Sequence, residues 1–301
     1  MPANAPANLE ALDLLAHQLE ASGHYRLLRR FTGNTLSPAG DPASLRQGVY
    51  LDVETTGKDP LRDEIIELAM VPFAYDAEGR LCEVGIPFVA LREPTVAISQ
   101  EITQITGITP DMVAGKTIDP ARVAAFIEPA AVIVAHHAGF DRRFTERFCP
   151  AFQHKGWACS MSQVDWKGEG FEGTKLSYLA SQCGFFFDGH RAENDCLAGL
   201  EILARPLSSG RTALAHMLET ARKPTWRIWA ENSPFDFRDR LKARGYKWNG
   251  DPGPAPKAWY IDINEADREA ELDYLYKEIY GGEVHLATRR ITAFERFSDR
   301  A

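Results

Sequence analysis

The chain has 301 residues, a formal net charge of −8, 45% apolar residues and 25% charged residues, enough for one full α/β domain and a smaller unit. No run of about 18 apolar residues occurs, and the start Met-Pro-Ala-Asn has neither a basic segment nor an apolar stretch. A soluble, cytoplasmic protein without a membrane span or secretory leader is therefore expected. The cysteines Cys82, Cys149, Cys159, Cys183 and Cys196 form no C-x-x-C pair, which points to reduced thiols rather than a disulfide framework or a zinc site.

The first block has Leu12, Leu15 and Leu19 at helical spacing, followed by Arg26, Arg29 and Arg30. A helix packed on the main body is expected there in preference to an interaction arm, with residues 33–48 as a linker rich in Gly, Pro and Ser. Residues 1–47 are thus assigned to an N-terminal helix and linker. Three strands are then expected at 49–53, 65–75 and 84–91, with a hairpin at Asp76-Ala77-Glu78-Gly79. Helices are expected at 99–105, 120–127, 140–148, 176–182 and 192–203, and a buried strand at 131–135. A meander of strands followed by alternating elements predicts an α/β fold, a mixed sheet flanked by helices, over residues 48–221. Beyond Thr220-Ala221-Arg222-Lys223-Pro224 lie four of the six tryptophans and a strand-helix-strand-strand-helix-strand pattern. Residues 222–301 are therefore expected to form a smaller α+β C-terminal domain.

Three segments carry chemistry. In Leu51-Asp52-Val53-Glu54-Thr55-Thr56-Gly57, residues i and i+2 of a strand share a face, so Asp52 and Glu54 project together while Leu51 and Val53 pack inward. Gly57 ends the strand and lets backbone approach a ligand closely. Alone, this is equally an edge strand with a solvated acidic face. The second segment, His136-His137-Ala138-Gly139-Phe140-Asp141, places Asp141 in the first turn of a helix, an electrostatically reasonable place for an anion, where by itself it could simply cap the helix. The third, His190-Arg191-Ala192-Glu193-Asn194-Asp195, puts a histidine at a helix entrance and Asp195 about one turn in.

In this order the three segments resemble the DnaQ-like DEDDh 3′–5′ exonucleases, a family that includes proofreading subunits of bacterial DNA polymerases. Further echoes are Ile105-Thr106-Gly107-Ile108-Thr109 with Asp111-Met112-Val113, and Lys175-Leu176-Ser177-Tyr178-Leu179. The resemblance covers roughly residues 48–204 and implies an RNase H-like fold. Were the four acids to converge, two carboxylates about 4 Å apart would repel by about 4 kcal/mol at an effective dielectric of about 20. Such a cluster requires cations, and hard oxygen ligands favour two ions of Mg²⁺ or Mn²⁺.

The resemblance implies that Asp52, Glu54, Asp141 and Asp195 bind metal, with Asp141 acting at longer range or through water. It further implies that Glu54 and His190 are catalytic, with His190 taking the proton of the attacking water. Thr55, Thr56 and Gly57 would receive the terminal nucleotide. His137, where the family usually has asparagine, is a further candidate substrate contact, with any copied role in doubt. A related branch uses a tyrosine four residues before the last aspartate, where this chain has Arg191, so the histidine branch is the better assignment.

The expected partner is a nucleic acid with a free 3′ end, single-stranded DNA first, with a DNA polymerase or repair protein as a further partner. The same chemistry on RNA is an alternative, and so is a catalytically silent binding or polymerase-associated subunit. Residues 222–301 hold 15 Lys/Arg against 14 Asp/Glu, while the first 221 hold 19 against 28, so the acidity lies where the metal cluster is expected. Cations and aromatics interleaved in the C-terminal part could hold a single strand. Tryptophans in a small domain are more often core, and that reading leads.

Overall fold

The computed structural model describes residues 9–38, 41–250 and 255–301. Residues 1–8, on which the expectation of no leader falls, and residues 39–40 of the expected linker lie outside the described residues.

In chain order, helix α1 (Leu9–Ala21) and strand β1 (Arg29–Arg30) precede β2 (Arg46–Thr55), β3 (Ile65–Tyr75), β4 (Leu81–Val84) and β5 (Phe88–Leu91). Helices α2 (Gln100–Thr106), α3 (Pro110–Val113) and α4 (Pro120–Ile127) lead to β6 (Val132–Ala135), α5 (Ala138–Phe148) and β7 (Trp157–Cys159). Then come α6 (Leu176–Gln182), β8 (Phe185–Phe186), α7 (Ala192–Ala204) and α8 (Ala213–Arg222). The chain ends with β9 (Thr225–Ala230), α9 (Arg238–Ala243), β10 (Lys247–Trp248), β11 (Trp259–Asn264), α10 (Arg268–Tyr274) and β12 (Thr288–Ile291).

The main sheet runs β4-β3-β2-β6-β7, with β5 also paired to β3. β3 follows β2 through a short loop and is antiparallel to it, while β6 and β7, reached through helices, are parallel. This is the expected mixed sheet flanked by helices. One face buries Val49, Leu51 and Val53 with Phe144, Phe152 and Trp157, and the other buries Tyr50, Ala69 and Val71 with the apolar side of α6, α7 and α8. Among the described residues, no helix is long and apolar enough to cross a membrane. All five cysteines are free thiols, four of them buried.

Two expectations are corrected. The single strand expected at 84–91 is two, because Gly85-Ile86-Pro87 interrupts it. The Gly85 N–H donates to the Pro72 carbonyl, and β4 and β5 pair with opposite ends of the eleven-residue β3. Proline has no N–H to offer a ladder. Helix α1 exists, but the three leucines expected to pack on the body are largely exposed. Leu12, Leu15 and Leu19 are 49%, 54% and 40% exposed. Part of the expected linker is held on the main body: Thr35 donates to Glu201 through its N–H and hydroxyl, Asn34 donates to the Leu197 carbonyl, and β2 already begins at Arg46.

The smaller sheet runs β10-β11-β9-β12, all antiparallel, over a core of Ile228, Leu241, Tyr246, Leu275 and Ile279. Trp229 is buried, and Trp226 lies under the Arg268 guanidinium with its indole N–H donated to Glu265. Trp248 meets Trp259 edge-on and is half exposed.

After β12 the tail returns to the main body. The Arg142 guanidinium, its side chain wholly buried, donates to the carbonyls of Ala293, Phe294 and Arg296 at 2.6–3.1 Å and to Glu146 at 2.6 Å. The Trp157 N–H donates to the Ala293 carbonyl, Phe297 packs into the main core, and Arg296 donates to the carbonyls of Ala221 and Lys223. A buried guanidinium is tolerated only when its donors are used, and here the tail supplies most of the acceptors.

Candidate active site

β2 presents Tyr50, Asp52 and Glu54 on the face covered by α7, because alternate residues share a face and Val49, Leu51 and Val53 fill the opposite core. α7 comes close because Gly199 has no side chain; a Cβ there would overlap the Tyr50 ring. That approach brings Asp195, in the first turn of α7, over the end of β2. Oxygens of Asp52, Glu54 and Asp195 can all lie within 4.8 Å of one another. Asp141 is not part of that group of three. It sits in the first turn of α5, 1% exposed, near enough for its charge to act on Asp52 and Asp195. Its Oδ1 is buried without a hydrogen-bond partner.

The electrostatics follow from this crowding. Burial, then the charges of Asp195, Glu67 and Asp141, pushes Glu54 up to about 8. Burial, then Asp141, Asp195 and Glu54, holds Asp52 well above the usual carboxylate range. Asp141 and Asp195 are raised as well, by burial first. Carboxylates so placed bind either protons or cations. The donors are hard oxygens; the neighbouring Cys196 thiol is buried, turned to the Ala69 carbonyl and raised well above its usual value. With an unpartnered Asp141 oxygen beside them, these residues fit divalent ions of the Mg²⁺ or Mn²⁺ kind.

His190 is exposed at the entrance to α7 with φ +62°, a left-handed conformation that costs a non-glycine residue about 1–2 kcal/mol. Its neighbours hold it there. The Arg191 N–H donates to Asp195 Oδ2 at 3.1 Å, and the Asn194 amide donates to the Asp188 carbonyl at 2.8 Å. His190 and Asp195 also interact electrostatically, so the two lie at one rim.

Thr55 and Thr56 are buried, and their hydroxyls shape the loop after β2. Thr55 donates to the Gly57 carbonyl, while Thr56 donates to Asp63 and accepts the Glu64 N–H. Gly57 is required by close packing, since a Cβ would strike the Asp63 carboxylate. His137 is exposed, with its ring stacked on Phe140 at 6.1 Å. His136 is committed elsewhere. Its Nε2 faces the Thr174 carbonyl at 2.6 Å, which can only accept, so Nε2 carries the proton. Burial pushes His136 down to about 4, so Nδ1 is free to accept from the Ser160 hydroxyl, whose oxygen accepts from Tyr50.

Sequence reasoning missed Glu67. It lies opposite Glu54 in the β2–β3 register, so the two acids share a face, and it is 1% exposed. Like charges directly opposed destabilise a sheet. Here Glu67 accepts from Arg191 Nη2 at 2.8 Å and from the Ala192 N–H at 3.0 Å, which fastens the entrance of α7 to β3. A single acid inside the otherwise apolar 65–75 strand was the available signal.

Fold and site together place the chain among the exonucleases. The family model RNase_T (Exonuclease) matches residues 49–203, just over half of the chain, and the chain belongs to that family. It is 31% identical over 183 residues to the DNA polymerase III subunit epsilon of Treponema pallidum (strain Nichols), covering 58% of this chain and 82% of that one. It is 34% identical over 122 residues to the PolC-type DNA polymerase III of Thermotoga petrophila (strain ATCC BAA-488 / DSM 13995 / JCM 10881 / RKU-1). That match spans 40% of this chain but only 8% of the polymerase. Among solved structures, exonuclease X in complex with 5′ overhanging duplex DNA superposes with a TM-score of 0.43 at 26% identity, covering 57% of this chain and 98% of that one.

Proposed function

We propose that the chain, through residues 48–221, is a metal-dependent 3′–5′ exonuclease that releases nucleoside 5′-monophosphates from the 3′ end of DNA. The observation that carries this reading is the convergence of Asp52, Glu54 and Asp195 within 4.8 Å beside the buried, unpartnered Asp141 oxygen. Asp52, Glu54 and Asp195 would hold two divalent cations, Mg²⁺ or Mn²⁺, with Asp141 supporting them at longer range. Such ions supply Lewis acidity and lower the pKa of water. The backbone of Thr55, Thr56 and Gly57 would receive the terminal nucleotide, with His137 at the edge. His190, held open to solvent beside Asp195, would accept the proton of the attacking water. Likeness to a chain named as a subunit of DNA polymerase III supports a polymerase or repair protein as a partner.

The test is an end-labelled assay on DNA and RNA oligonucleotides with Mg²⁺, Mn²⁺ or EDTA. Stepwise shortening of DNA from the 3′ end, abolished by EDTA, is the expected result. Degradation that survives EDTA, or that starts from the 5′ end, sinks the proposal.

Glu67 is assigned as a positioning residue acting through Arg191 and the entrance of α7. Glu67→Gln should lower kcat about 10–100-fold with little change in KM. An unchanged kcat in a variant that melts like the wild type would remove that role.

A further inference from the structure

Between the small sheet and the main body lies a cleft of about 1150 Å³. Its walls are the loop from Lys58 to Leu61 on one side and residues of β9, β10 and β11 on the other. This exceeds the roughly 300–1,000 Å³ of a small-molecule pocket, and the lining is mainly polar, so it suits a charged polymer better than a compact apolar ligand.

Charge gives the class of that polymer. Six cations line the cleft, Lys58, Arg143, Lys223, Arg227, Lys247 and Arg296, against three acidic side chains, Asp59, Asp262 and Asp299. The lining side chains are thus net positive by three in a chain that is −8 overall. Among the described residues, Lys58 and Lys247 have no ion-pair partner. Arg143 and Lys223 are paired with Asp299 and Glu219 at the protein surface. Exposed pairs of this kind are weak enough for phosphate to compete for the cation.

Position gives the direction. Lys58 follows Gly57 in the chain, so one end of the cleft borders the place proposed for the terminal nucleotide. The far end is formed by Lys247 and by Arg227, whose guanidinium lies 4.4 Å from the centre of the Tyr260 ring. The two walls are tied together by the tail that Arg142 anchors, which fixes their spacing. Of the tryptophans only Trp229 reaches the lining, and it is buried at 4% exposure, which leaves phosphate contacts rather than tryptophan stacking as the main grip.

We propose that this cleft holds the single-stranded DNA on the 5′ side of the scissile bond through sequence-independent phosphate contacts. The direction of the strand rests on the exonuclease reading above; the binding does not. The experiment compares the full chain with its Lys223→Glu/Lys247→Glu variant on oligothymidylate of twelve nucleotides and on p-nitrophenyl thymidine 5′-monophosphate, which is too short to reach the cleft. Binding of the labelled oligonucleotide is measured in parallel by anisotropy in EDTA, where no cleavage occurs.

The variant should bind the oligonucleotide about tenfold more weakly, with the slope of log affinity against log salt reduced by about 1.4 for two lost phosphate contacts. KM should rise for the oligonucleotide only, and unchanged hydrolysis of the short ester shows that the variant is folded. Unchanged oligonucleotide affinity and salt slope overturn the cleft proposal, as does an equal rise in KM for both substrates. Wild-type binding without hydrolysis of either substrate would instead defeat the exonuclease reading, and the anisotropy comparison would still decide the cleft.

Discussion

Asp52→Asn is expected to lower metal-dependent DNA degradation by roughly a thousandfold or more, while making the metal-free protein more stable at pH 8. The first effect follows from removing a ligand of the proposed ions, whose charge stabilisation is worth several kcal/mol, about tenfold in rate for each 1.36 kcal/mol. The second follows from the crowding of the acids. Burial and its neighbours raise Glu54 to about 8, and Asp52, Asp141 and Asp195 are raised too. In the unfolded chain the same groups titrate near 4.

Between these values the folded, metal-free state binds more protons than the unfolded one. Its stability is therefore full below about pH 4 as far as these groups are concerned, and is lost as pH rises toward about 8. Replacing Asp52 by the neutral, isosteric asparagine removes one charge from that cluster. Thermal melts in EDTA should show a gain in Tm for the variant at pH 8 that shrinks at pH 5. Mg²⁺ or Mn²⁺ should raise the wild-type Tm most at the alkaline end, because the ions bind the deprotonated acids. Equal melting of wild type and variant at both pH values would show that the carboxylates do not share one pocket.

His190→Ala should reduce kcat by about 10²–10⁴-fold, the usual contribution of a general base. Metal binding should change little, because the three close carboxylates are untouched. The useful measurement is kcat beside Mn²⁺ affinity in the same preparation. A kcat within a factor of about three of wild type would assign the proton to another group and leave the left-handed backbone at His190 without a functional account. Loss of both kcat and metal affinity would make His190 a structural part of the α7 entrance instead.

The main sheet was legible where one side of the pattern dominates. β3 at Ile65–Tyr75 is almost wholly apolar, and α4 at Pro120–Ile127 starts behind an aspartate cap with proline in its first turn, so both were read with the observed bounds. The 84–91 stretch was misread because nothing local says that β3 is long enough to serve two partners. β7, with three residues, is too short to carry a period.

Among the site residues, Asp52, Glu54 and Asp195 could be read as a cluster from motif order. Glu67 could not, because its meaning depends on which residue faces Glu54 across the hairpin. The leucines of α1 mark the limit from the other side: periodicity predicted an apolar face and was right, yet it says nothing about what covers that face.

The Arg142 anchor changes how the chain should be divided. Composition shifts near residue 222, and the second sheet begins there, but the last ten residues complete the burial of a guanidinium carried by α5 of the main body. Cutting the chain at the shift would leave that cation facing vacated carbonyl positions, a defect that costs about 3–5 kcal/mol when a buried charge loses its partners. A minimal fragment would therefore need either the tail supplied separately or an apolar residue in place of Arg142, and the two sheets inherit each other's stability.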